Sequence, residues 1–207
     1  HLSALGINDA VDSDYAKSKL EGEKEISKNF PLVTILRPSI VYSVEDNFTT
    51  NFMTLLNRLP IFPLYYGGNT RFAPIACSDL TDTIHFVISN NIYSKIIECV
   101  GPEIITFKEI LQRLLNLIDK KRILLPFPLP LAKLSARFFE LMPKPLLTRD
   151  QLRLLAYSNI ATGKYQTNSD IGMPSKRYFN DEVKKYCYMW RKGGQFSTEK
   201  YTSKDDL

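Results

Sequence analysis

The chain has 207 residues, of which 44% are hydrophobic and 24% charged, and a net charge of +5. It is long enough to bury a sizeable core in one or two domains, and its mild basic excess comes with no nucleic-acid-binding motif, so nucleic acid is not an expected partner. Three widely spaced cysteines (Cys77, Cys99, Cys187) and two distant histidines (His1, His85) argue against a disulfide framework or a bound metal, and no apolar run reaches the roughly 18 residues of a membrane-spanning helix.

His1-Leu2-Ser3-Ala4-Leu5-Gly6 reads as the end of a strand cut into midway, and the chain is expected to be the C-terminal part of a longer protein. After a polar loop over Ile7–Asp12, Ser13 is a good N-cap with Asp14 favourable in the first turn. The helix is expected from about Asp14 to Lys28, with Tyr15, Lys19 and Gly22 on one face. An ammonium held beside a phenol favours the phenolate, so Tyr15 and Lys19 are the candidate acid–base pair. Gly22 costs about 1 kcal/mol against alanine inside a helix. It is either merely tolerated or needed for close packing against another backbone.

Phe30-Pro31 ends the helix, and Leu32–Leu36 reads as a short buried strand of the parallel-sheet kind. Arg37-Pro38-Ser39-Ile40-Val41-Tyr42 follows directly. Ligands in open α/β sheets sit beyond the carboxyl ends of strands. Ser3, the Tyr15/Lys19 face and Pro38–Val41 are therefore expected at one crevice.

Further on, the pattern predicts a helix over Asn47–Leu59, a loop over Pro60–Gly68 and a strand over Arg71–Cys77. A helix over about Asp79–Ser89 is expected to be capped by Ser78-Asp79, with His85 as a structural or surface residue. Lys95–Val100 reads as a strand. Thr106 and Glu109 form a capping box opening a periodic helix to about Ile118. From Ile123 the chain is apolar and proline-studded. Helices are expected over Leu131–Met142 and from Thr148-Arg149-Asp150-Gln151. This region suits a lid, a partner surface or a membrane-facing patch, but packing against the sheet is the favoured reading. After Ala161 the chain is polar, with nine Lys/Arg against six Asp/Glu. One short helix is expected over Asp181–Trp190, and a disordered tail over the last ten residues.

The fold class is thus α/β, with strands of the parallel-sheet kind and a small, mostly helical subdomain. The boundaries drawn are residues 1–118 for the sheet-bearing part, 119–160 for the helical subdomain and 161–207 for a basic extension.

Ser3, Tyr15-x-x-x-Lys19, the Leu36-Arg37-Pro38-Ser39-Ile40-Val41-Tyr42 strand end, and Phe72-Ala73-Pro74-Ile75 before Ser78-Asp79-Leu80 together resemble the second half of an extended or atypical short-chain dehydrogenase/reductase, the NAD-dependent epimerase/dehydratase family. His1–Gly6, Tyr15–Glu23 and Arg191-Lys192-Gly193-Gly194-Gln195-Phe196 resemble the accessory subunits of that type in respiratory complex I and their bacterial relatives. The resemblance implies Tyr15 as general acid/base and Lys19 as ligand to the nicotinamide ribose that lowers the tyrosine pKa. It implies Ser3 as hydrogen-bond partner of a substrate oxygen, Pro38, Ser39, Ile40 and Val41 as lining of the nicotinamide pocket, and Arg71 as a diphosphate-binding arginine. It implies that residues 1–118 are the C-terminal part of an NAD(P)-binding domain, the C-terminal half of a Rossmann-type doubly wound parallel sheet, with NADP or NAD as cofactor. The implied partners are subunits of complex I, with a peripheral membrane contact, and the implied location is the cytoplasmic or matrix side.

The chain departs from the family in three ways. No Gly-x-x-Gly-x-x-Gly occurs in it, Ser43 stands where glycine is usual, and Ser3 precedes Tyr15 by only twelve positions. Three functions follow. The first is an accessory subunit holding NAD(P)H without turnover. The second is a catalytic epimerase, dehydratase or reductase acting through Tyr15 and Lys19. The third is a binding module without cofactor.

Overall fold

A computed structural model describes residues 1–128 and 148–194. Helix α1, Asp14–Asn29, starts where the sequence places it: Ser13 Oγ accepts from the Ala16 amide at 3.2 Å. Strand β1, Ile35–Pro38, is buried throughout and begins three residues later than expected, with Leu32 left exposed. It runs parallel to a strand over Ile96–Cys99, which runs parallel to a strand over Gln166–Thr167. On the other side of β1, Leu2 forms a parallel bridge to Leu36. The Ser3 amide donates to Leu36 O and the Leu5 amide to Pro38 O, both at 2.8 Å. The opening residues thus extend the parallel sheet, as a Rossmann-type layer requires.

The next segments contain three differences from expectation. Pro60–Gly68 is not all loop. Strand β2, Val41–Tyr42, is followed by helix α2, Thr49–Arg58, and then by β3, Ile61–Leu64, which pairs in parallel with Ile123–Pro126. Both strands of this two-stranded pair are edges, where a proline such as Pro63 is tolerated. The expected strand over Arg71–Cys77 is split by Ala73-Pro74 into β4, Arg71–Phe72, and β5, Ile75–Ala76. β4 pairs antiparallel with a strand over Ile105–Thr106, and β5 pairs parallel with β2. Helix α3, Cys77–Ser89, begins two residues early, without a side-chain cap. Asp79 is buried instead, and accepts from the Lys176 and Arg177 amides at 3.1 and 3.0 Å and from the Arg177 guanidinium. It ties the C-terminal segment down rather than capping a helix. His85 is exposed on α3.

The main core joins Met53 and Leu56 of α2 to Ile110, Leu111 and Leu114 of helix α4, Phe107–Leu117. The Thr106/Glu109 capping box opens α4 as expected. Phe179, Val183, Tyr186 and Cys187 complete this core. The short helix expected over Asp181–Trp190 is two pieces, a helix over Phe179–Lys184 and a 3-10 turn over Cys187–Trp190. The polar chain after Ala161 therefore contains a packed stretch, because Phe179, Val183, Tyr186 and Cys187 are buried together in the main core. The helix expected over Leu131–Met142 and the tail from Gln195 lie outside the described residues. Among the described residues no helix is long and apolar enough to cross a membrane, and no group of three or more His, Cys, Asp or Glu is placed to hold a metal ion.

Gly22 decides between its two readings. A Cβ added there would meet nothing closer than His1 Nε2 at 3.8 Å, an ordinary contact, so no backbone packs against it. Gly22→Ala is expected to stabilise the protein by about 0.5–1 kcal/mol, read as a higher urea midpoint with unchanged slope.

Candidate functional site

Helix α1 carries Tyr15, Lys19 and Glu23 on one stripe, and the fold pins it near both ends. At its start, helix α5 (Arg149–Leu154), which begins where expected and opens on a Thr148/Gln151 capping box, presents Asp150. Asp150 accepts from the Asp14 amide at 2.9 Å, the Tyr15 amide at 3.1 Å and Ser13 Oγ at 3.0 Å. A carboxylate here meets orphan amides and the positive end of the helix dipole. Burial alone would raise its pKa, but the three hydrogen bonds and nearby Arg153 hold it below the ordinary carboxylate value.

The sign of the pH effect follows. Folded Asp150 binds its proton less readily than unfolded Asp150, so its contribution is present above about pH 4 and fades as pH falls through the folded value. Asp150→Asn is expected to cost about 1 kcal/mol at neutral pH. The gap to wild type in chemical denaturation should narrow below that range.

Two turns after Tyr15, buried Glu23 meets Arg37 of β1. Arg37 Nε donates to Oε1 at 2.8 Å and Nη2 to Oε2 at 2.6 Å. The helix is thereby tied to the strand that ends in Pro38-Ser39.

Between these anchors opens a cleft of about 620 Å³. Ser3, Tyr15, Lys19, Pro38, Ser39, Ile40 and Val41 all line it. The expected convergence is therefore present in the geometry. Ser3 is buried, and its Oγ has no hydrogen-bond partner among the described residues. An orphaned buried hydroxyl is costly and rare. In a cleft wall it is suited to a ligand oxygen. The Lys19 ammonium lies 5.8 Å from the centroid of the Tyr15 ring, close enough for a cation–π contact.

Two expectations fail here. The Tyr15 phenol is not depressed by Lys19: partial burial pushes its pKa up. Arg71 does not line the cleft. It is exposed on β4, opposite Thr106.

Asn159, not singled out in the sequence, is the polar hub of the floor. Its Oδ1 accepts from Ser39 Oγ at 2.6 Å and the Ile40 amide at 3.1 Å, and its Nδ2 donates to Leu5 O at 2.8 Å. It fixes the Pro38–Val41 wall against the opening strand. Nothing local in Ser158-Asn159 signals that role. Glu23 was findable: an arginine inside a buried strand run demands an acidic partner.

No protein-family model matches the chain. NADH dehydrogenase (ubiquinone) 1 alpha subcomplex subunit 9, mitochondrial, of Arabidopsis thaliana is 24% identical over 204 residues, covering 93% of this chain and 50% of that protein. The Mus musculus protein of the same name is 25% identical over 177 residues, 84% of this chain and 46% of its own length. The chain is a relative of these complex I proteins. Among solved structures, dTDP-glucose 4,6-dehydratase of Bacillus anthracis in complex with NAD superposes with a TM-score of 0.58 at 15% identity, covering 86% of this chain and 51% of that chain. The fold is thus the short-chain dehydrogenase/reductase fold, as the sequence motifs implied, and the chain spans about half the length of the curated relatives it matches.

Proposed function

We propose that this chain is the C-terminal part of a nicotinamide-dinucleotide-binding accessory subunit of NADH:ubiquinone oxidoreductase that holds its cofactor without turning it over. The observation that carries this is the meeting of Ser3, Tyr15, Lys19 and Pro38–Val41 in one cleft of a chain related to complex I subunits. Lys19 and the Tyr15 hydroxyl would hold the ribose at the nicotinamide end, Pro38–Val41 would wall the ring, and the orphaned Ser3 hydroxyl would bond an oxygen beside it. When bound, the dinucleotide supplies a hydride-carrying ring. The turn that cradles its pyrophosphate would be supplied outside residues 1–207.

Two features favour holding over turnover. Partial burial raises the Tyr15 phenol, and Arg71 is not among the residues that line the cleft. The working protein would then sit at the matrix side of the inner membrane, docked to other subunits of the complex, a reading supported by its mitochondrial relatives. The test is turnover by the full-length protein supplied with NAD or NADP and UDP-glucose or dTDP-glucose. Wild type and Tyr15→Phe are expected to be equally inactive. Turnover by wild type that Tyr15→Phe abolishes would establish the catalytic alternative.

A further inference from the structure

The cleft is larger and more apolar than a nicotinamide end requires. Helix α2 shows why. Its inner face, Met53 and Leu56, is fully buried in the core. A flanking stripe at helical spacing, Phe52 and Leu55 with the cap residues Phe48 and Leu59, is only partly buried: it packs against the same core on one side and lines the cleft on the other. A surface helix normally turns its polar side outward. Here a second apolar stripe looks into a cavity.

The wall opposite carries Leu154, Leu155 and Tyr157, and Phe62 and Tyr65 also line the cavity. Among the described residues that line it, Lys19 is the sole charged one, and it sits beside Tyr15. A nucleotide sugar brings a diphosphate, which needs guanidinium or ammonium groups where it lies. Burying its charges against phenylalanine and leucine is strongly unfavourable.

We propose that the substrate side of this cleft takes an uncharged, elongated apolar molecule with a single hydroxyl or carbonyl oxygen, and not a nucleotide sugar. The oxygen would meet the Ser3 hydroxyl, and the alkyl, prenyl or aromatic body would lie along the α2 stripe. This rests on reading the cleft as a nicotinamide site, since that reading sets which end is polar. A cavity of about 620 Å³ falls in the range of small-molecule sites.

The test is isothermal titration of the full-length protein with decanol and, separately, with UDP-glucose, with the NADPH content of each sample read by its fluorescence. Decanol is expected to bind saturably and UDP-glucose to give no binding heat. Asn51→Glu places a carboxylate on the cleft wall at an exposed helix position, so the fold should survive. It should weaken decanol at least tenfold, and Ser3→Ala should weaken it several-fold. Binding of UDP-glucose without decanol would overturn the proposal, as would decanol binding that Asn51→Glu leaves unchanged. Loss of NADPH with decanol binding intact would count against the cofactor reading alone. Retained NADPH with no decanol binding would count against this one alone.

Discussion

Glu23→Ala is expected to destabilise the protein by about 3–5 kcal/mol, the usual consequence of stripping a buried charge of its partner. Both side chains of the Glu23–Arg37 pair are nearly inaccessible, at 8% and 5%, and the contact is bidentate. Removing the carboxylate leaves a guanidinium in the sheet that cannot lose its proton. The Tyr165 ring, 4.9 Å from the guanidinium, offers only a weaker compensation. Replacing both partners with apolar residues, Glu23→Leu with Arg37→Met, should recover most of the loss, because a well-packed apolar pair needs no mutual neutralisation. Urea unfolding followed by circular dichroism would show this as a large midpoint drop in each single variant and a small one in the double. Losing the tie would also free α1 from the strand end and separate Tyr15 and Lys19 from Pro38–Val41.

The second large effect is expected at Gly101, just past the strand over Ile96–Cys99. A Cβ there would fall 1.7 Å from the Pro74 carbonyl oxygen and 2.7 Å from its carbon. The Gly101 amide donates to Ala73 O at 3.0 Å, so the two backbones are already drawn together. The obstacle is main chain, which cannot swing aside as a side-chain tip can. Gly101→Ala is expected to cost about 3 kcal/mol or more, the upper end for an overpacked site. It should also shift Ile75, whose amide donates to Ile40 O at 2.9 Å, and so disturb the cleft wall. A soluble variant with wild-type thermal stability would show that the two segments do not approach as described. The contrast with Gly22→Ala, expected to stabilise, separates a glycine required by space from one that is only tolerated.

Much of this was legible in the sequence because it depends on local pattern. Ser13, the Tyr15/Lys19 spacing and the buried run into Arg37-Pro38 define a helix and a strand end, and topology then brings their ends together. The Thr106/Glu109 box and the helix start at Thr148 are also local. What was not legible depends on partners far away in sequence. Asp150 caps a helix more than 130 residues earlier, Asn159 stitches Leu5 to Ile40, and Asp79 exchanges its expected capping role for Arg177. The Tyr15 pKa belongs to the same class. The spacing to Lys19 is written in the sequence, but burial, which decides the direction, is a tertiary quantity. Pro63 misled for another reason. Proline marks loops and edge strands alike, and only the pairing with Leu125 tells which.

The most direct test of the central claim is the nicotinamide dinucleotide content of the full-length protein after gel filtration, released by denaturation and measured by fluorescence. The account predicts a near-stoichiometric amount in wild type and a largely empty protein for Lys19→Ala of unchanged thermal stability. A wild-type protein that carries none, or a Lys19→Ala variant that carries as much as wild type, would contradict it.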